Sequence, residues 1–146
     1  MRALVLGLAF ALGVTSAFAQ VRNVGRGDPD RKRIIDTVRA PMQREVGGRV
    51  IYYDVAIREA DGWVFFRGEP KRPGGRYIEP KGTFYEADAD FMDGWTNYVL
   101  LRRSGSRWQI VERHIAPTDI SYCGWRKTYD LARGLSEFDS CGPGGD

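Results

Sequence analysis

Histidine occurs once in this 146-residue chain, at His114, and cysteine only twice, at Cys123 and Cys141. Zinc sites draw three or four ligands largely from these residue types, so the inventory argues against zinc. Nothing else in the chain implies another metal or a cofactor. There is no Ser-His-Asp spacing, no glycine-rich phosphate loop and no paired-carboxylate motif, so no residue is assigned as catalytic. Charge excess is also small. The formal net charge is +3, too little for a strong long-range field, and no nucleic-acid-binding motif accompanies it, so a nucleic-acid partner is not expected. No long apolar run follows the first twenty residues, which leaves no transmembrane segment in the remainder.

Those first twenty residues, MRALVLGLAFALGVTSAFAQ, do carry a message. Arg2, an apolar run from Ala3 to Val14, and Ala17-Phe18-Ala19 before Gln20 have the layout of a secretory signal peptide. An uncleaved anchor needs about 17–25 apolar residues; here Thr15 and Ser16 interrupt the run. Cleavage after Ala19 is expected, with delivery to the periplasm or the extracellular space. Residues 20–146 then form one mature domain. Removing Arg2 from the 22 Lys and Arg leaves 21 against 19 Asp and Glu, a net charge of +2.

Export changes how the cysteines are read. In an oxidising compartment an even pair is usually bridged, so Cys123–Cys141 is the expected disulfide. It would tie the Gly/Pro-rich tail, expected to be flexible from about residue 142, to the domain. The rival is a reactive Cys123 thiol assisted by His114, which no third orienting group supports.

Asp28-Pro29-Asp30 announces a helix, because Asp caps well and Pro is tolerated at the first helical position. Ile34, Ile35, Val38, Met42 and Val46 share one arc, and Pro41 predicts a kink or a break. Gly47-Gly48 ends the element. Ile51, Tyr53, Val55 and Ile57 alternate as a strand, with Tyr52, Asp54 and Ala56 on its other side. Ala60-Asp61-Gly62 turns into Trp63-Val64-Phe65-Phe66. A second hairpin runs Thr96–Arg103, turns at Ser104-Gly105-Ser106 and returns through Arg107–Ala116. Thr118 or Asp119 is expected to cap a short helix carrying Ile120, Tyr122 and Trp125. The fold class is α+β: one long N-terminal helix, kinked near Pro41, on an antiparallel sheet of about four strands, with a short C-terminal helix. The helix stripe is expected to bury against the sheet face bearing Tyr53 and Val55.

Four groups of side chains invite a functional reading. Glu86, Asp88, Asp90 and Asp93 resemble a calcium loop, but counting from either Glu86 or Asp88 puts neither Gly at the sixth place nor Glu at the twelfth. A solvated acidic loop is the expectation. Residues 68–82 hold Lys71, Arg72, Arg76, Lys81 and Tyr77, a long loop able to meet a polyanion, partly offset by Glu69 and Glu79. Glu112 and His114 are two apart on a strand and share a face, the spacing of an acid–base pair. The aromatics Trp63, Phe65, Phe66, Trp95, Tyr98, Trp108 and Trp125 are expected chiefly in the core.

Asp28-Pro29-x-Arg31, Gly62-Trp63-Val64-Phe65, Leu100-Leu101-Arg102-Arg103, Trp108-x-Ile110-Val111-Glu112 and Pro117-Thr118-Asp119-Ile120 with Trp125 span most of the mature chain. In these motifs the chain resembles a group of small exported bacterial α+β proteins of uncharacterised function. The motifs are capping and packing residues, and the cysteine pair is additional to them. Helix followed by meander is also similar to cystatin-like and NTF2-like folds, a likeness from which function does not transfer. The resemblance implies a compartment and a fold. The functional expectation is a non-catalytic envelope protein that binds a partner protein or small ligand through its sheet face or the 68–82 loop. The alternative is a small NTF2-like pocket enzyme using Asp119, Glu112 or His114 for proton transfer.

Overall fold

The computed structural model describes residues 20–120 and 122–136. The expected signal peptide, Cys141 and the Gly/Pro-rich tail lie outside them.

The sheet has five antiparallel strands whose spatial order follows the chain: β1 (Arg22–Asn23), β2 (Ile51–Ala60), β3 (Trp63–Lys71), β4 (Asn97–Ser104) and β5 (Arg107–Ile115). About four strands were expected; the fifth is β1, two residues pairing Arg22 with Glu59 and Asn23 with Arg58. Its short polar sequence carries no alternation, and its anchors are ionic: Arg22 bridges Asp28 and Glu59. At the β2–β3 turn Asp61 and Gly62 both have positive φ, 52° and 75°, as a two-residue type I′ hairpin requires. Gly105 turns β4 into β5 at φ 60°.

Helix α1 (Pro29–Glu45) starts where its cap predicts. The Asp28 carboxylate accepts the Asp30 N–H at 2.9 Å, and Pro29 occupies the first helical position. At seventeen residues and with β1 before it, α1 is not the long N-terminal helix expected. It continues through Pro41 without a break. Burial of Met42 and Val46, and the Val46 N–H closing onto Met42 O at 3.0 Å, secure the final turn despite the bond that Pro41 cannot donate.

Both faces of the sheet are covered. Ile34, Val38 and Met42 of α1 pack with Tyr52, Ile57, Val64, Phe66, Val99 and Leu101. On the opposite face Phe65, Leu100 and Ala60 lie under Tyr122, Trp125, Leu131 and Leu135. Tyr122 stacks on Tyr98 at 4.6 Å between ring centroids. The C-terminal segment therefore forms a third layer.

Two expectations need correction here. The β2 alternation is interrupted by a bulge between Tyr53 and Ala56, where Asp54 takes a left-handed φ of 49°. Tyr52, 9% exposed, consequently enters the core beneath α1, and Tyr53, 38% exposed, does not. The short C-terminal helix, α2 (Trp125–Tyr129), follows Gly124 with no side-chain cap. Thr118 and Asp119 are exposed well before it, and Ile120 lies outside it and exposed. The start is set by packing: Tyr122 and Trp125 both meet the Phe65 ring, at 5.4 and 6.2 Å.

Candidate functional site: an arginine-lined cleft at the sheet edge

The two residues of β1 leave most of β2 without an outer neighbour. Past Asn23 the chain peels away. Val24 N–H reaches Ile57 O at 2.9 Å, and then the Gly25–Gly27 turn leads into α1. Beside the uncovered edge, at the Asp54 bulge, lies an open cleft of about 750 Å³. Tyr52, Tyr53, Val55 and Ala56 form its β2 wall and Ile35 its α1 wall. Three arginines converge on it: Arg26 from the turn before α1, Arg31 from the first turn of α1, and Arg67 from β3, directly across from Ala56.

Arg31 holds the cleft's corner. One guanidinium nitrogen, Nη1, donates to Val24 O at 2.7 Å and the other, Nη2, to Val55 O at 3.4 Å. Both acceptors are neutral carbonyls, so no carboxylate among the described residues pairs with its charge. Arg26 is exposed and pairs with no carboxylate among the described residues. The neighbouring acids are engaged elsewhere. Asp28 pairs with Arg22, whose hydrogen bond, with the Asp30 N–H, holds its carboxyl below the usual carboxylate range. Asp36 pairs with Lys32 and Arg39. Asp54 is the one carboxylate of the cleft wall, exposed at the bulge. A smaller cavity of about 330 Å³ shares Arg26, Arg31 and Ile35 and continues along α1 past Lys32 and Arg39, with the paired carboxylates Asp28 and Asp36 also in its lining.

A second polar assembly lies near the C-terminal end of α1. Glu45 accepts from both guanidinium nitrogens of Arg113, the longer bond 3.0 Å, and from the Tyr85 hydroxyl at 2.6 Å. Burial alone would raise the Glu45 pKa, but these donors outweigh it and hold the carboxyl below its usual range. Burial, and then the hydrogen bond to Glu45, push the Tyr85 phenol up. Nearby, Tyr52 donates to Asn97 Oδ1 at 2.6 Å, and Asn97 Nδ2 to Trp95 O at 2.8 Å, so both polar side chains are satisfied in the core. This assembly is structural: it ties α1 to β5 and to the 72–96 connection.

The residues singled out from the sequence do not assemble. Glu112 and His114 share a face, as their spacing predicts, but that face is the one covered by the C-terminal layer. Glu112 accepts the Tyr129 hydroxyl, and His114 meets the Trp125 ring edge-on at 5.0 Å. Asp119 is exposed, and none of the three lines either cavity. Cys123 sits in the turn before α2, and its expected partner Cys141 lies outside the described residues. Glu86, Asp88 and Asp90 ride on an exposed 3-10 helix, Glu86–Phe91, with Asp93 just beyond. No group of three His, Cys, Asp or Glu poised for a metal occurs among the described residues.

The 68–82 segment is more ordered than a loop. Strand β3 runs through Pro70 to Lys71, Arg72 and Arg76 form a bridge, and Ile78 is fully buried, its carbonyl accepting Trp95 Nε1 at 2.8 Å. Two of its cations serve the fold. Arg72 donates to Val46 O at 2.6 Å, and Lys71 pairs with Glu69 at 3.2 Å.

No family model, curated protein or solved structure matches this chain. Arg26, Arg31 and Arg67 thus stand as a site on geometry alone. Arg31 belongs to the Asp28-Pro29-x-Arg31 motif, but local sequence does not signal that the three meet, since they come from a turn, a helix and a strand, and the bulge sets their meeting point.

Proposed function

We propose that this protein is an exported, non-catalytic binding module whose ligand occupies the arginine-lined cleft at the edge of β2. One observation carries the reading: Arg26 and Arg31, neither paired with a carboxylate among the described residues, present their charge to an open cleft of small-molecule size, walled by Tyr53, Ile35 and Val55. The enzyme alternative draws less support, because Asp119, Glu112 and His114 do not converge on a common space. Export rests on the leader-like N-terminus. A Cys123–Cys141 bridge fits such a destination and would fasten the chain end beside the third layer.

Hydrogen–deuterium exchange tests the site. The mature protein is measured with and without the small-molecule fraction of a cell-envelope extract. Slowed exchange confined to residues 24–31 and 52–56 is the expected result. Slowing around 112–119 instead would favour the enzyme alternative, and no change anywhere would remove the cleft as the binding site.

A further inference from the structure

Resting on the cleft reading above, we infer that the ligand carries an oxyanion, a carboxylate or a phosphate ester, on an apolar or aromatic body. An unpaired strand edge ordinarily invites an added strand. Here that mode is blocked twice. Arg31 already occupies Val55 O, and the Asp54 bulge breaks the ladder that an incoming strand would extend. What stays open to a ligand is side-chain chemistry.

That chemistry is of two kinds. Arg26 and Arg31 supply planar donors that suit carboxylate and phosphate oxygens, and neither guanidinium is neutralised by a carboxylate among the described residues. Tyr53 and Ile35, on opposite walls, offer contact surface for an apolar body. A bare inorganic anion would leave those walls unused. A neutral apolar molecule would supply no counter-charge to the guanidiniums facing it. Asp54 sets the counter-test, since its exposed carboxylate repels an anion held by the arginines.

Titration calorimetry at physiological salt distinguishes the cases with benzoate, phenyl phosphate, inorganic phosphate and benzyl alcohol as probes. Benzoate or phenyl phosphate should bind saturably and more tightly than inorganic phosphate or benzyl alcohol, and the better of the two identifies the oxyanion. Arg26→Gln, which breaks no described hydrogen bond, should weaken that binding about tenfold. Asp54→Asn, which keeps a residue tolerant of left-handed backbone, should tighten it several-fold. Equal binding by both variants and the native protein, or preference for benzyl alcohol, overturns the inference. So does failure of both aromatic anions to bind up to millimolar concentration. If the envelope fraction still protects residues 24–31 and 52–56 when these anions fail, the ligand class is wrong and the cleft stands; without that protection the cleft itself falls.

Discussion

At the scale of individual residues, Glu45 is acceptor for both Arg113 and Tyr85 at the last turn of α1. Replacing it with Gln leaves the partly buried Arg113 guanidinium without its counter-charge, and urea denaturation should record a loss of about 2 kcal/mol at neutral pH. The pH profile should change as well. Because the native Glu45 pKa is lowered, its contribution is complete above the ordinary glutamate range and is lost as pH falls through the lowered native value. Glu45→Gln should therefore flatten the acid limb of the stability curve; an unchanged limb would assign acid sensitivity to other carboxylates. Gly68 offers a sharper steric test. A Cβ there would stand 2.8 Å from Phe66 Cζ and 3.1 Å from Tyr52 Cδ1, two packed core rings. Gly68→Ala should cost about 1–3 kcal/mol, read as a lower denaturation midpoint at unchanged m-value.

Single elements show which signals were legible. The Asp28-Pro29 start of α1, its Ile34/Val38/Met42 stripe, the Asp61-Gly62 turn and the β4–β5 hairpin all follow from local chemistry. An aspartate N-cap or an Asp-Gly turn needs no distant partner to declare itself. The Asp54 bulge was hidden because Ile51 to Ile57 also fits an unbroken alternation, and only burial of Tyr52 beneath α1 decides the register. β1 was hidden because its strand partner β2, and with it the anchor Glu59, lies far along the chain, although the other anchor, Asp28, is local. The arginine cleft inherits both difficulties, as it lies where the bulge and the end of β1 meet. The α1 stripe supports its own prediction. Val38→Asp would place an unpaired carboxylate at a fully buried position, and the variant should show no cooperative thermal transition.

At the scale of the molecule, the described residues form a sheet held between α1 and a C-terminal layer with little regular structure, and the second cover can be tested like the first. Trp125→Ala should cost about 3–5 kcal/mol and increase binding of a hydrophobic dye as Phe65 and Leu100 become accessible. If Cys123 and Cys141 are bridged as proposed, the intact protein has a mass two daltons below that of the reduced chain. Reduction should then lower stability by about 3 kcal/mol, mainly through the third layer.

Strand order that matches chain order bears on how the protein comes into being. Each strand of this meander pairs with its neighbour in sequence, so α1 and all five strands can assemble while a chain emerges N-terminus first. Residues 122–136 arrive after the sheet is complete. Until they do, Phe65 and Leu100 face water on a nearly finished sheet. That interval is when the protein is most exposed to self-association and when a chaperone would find its binding surface.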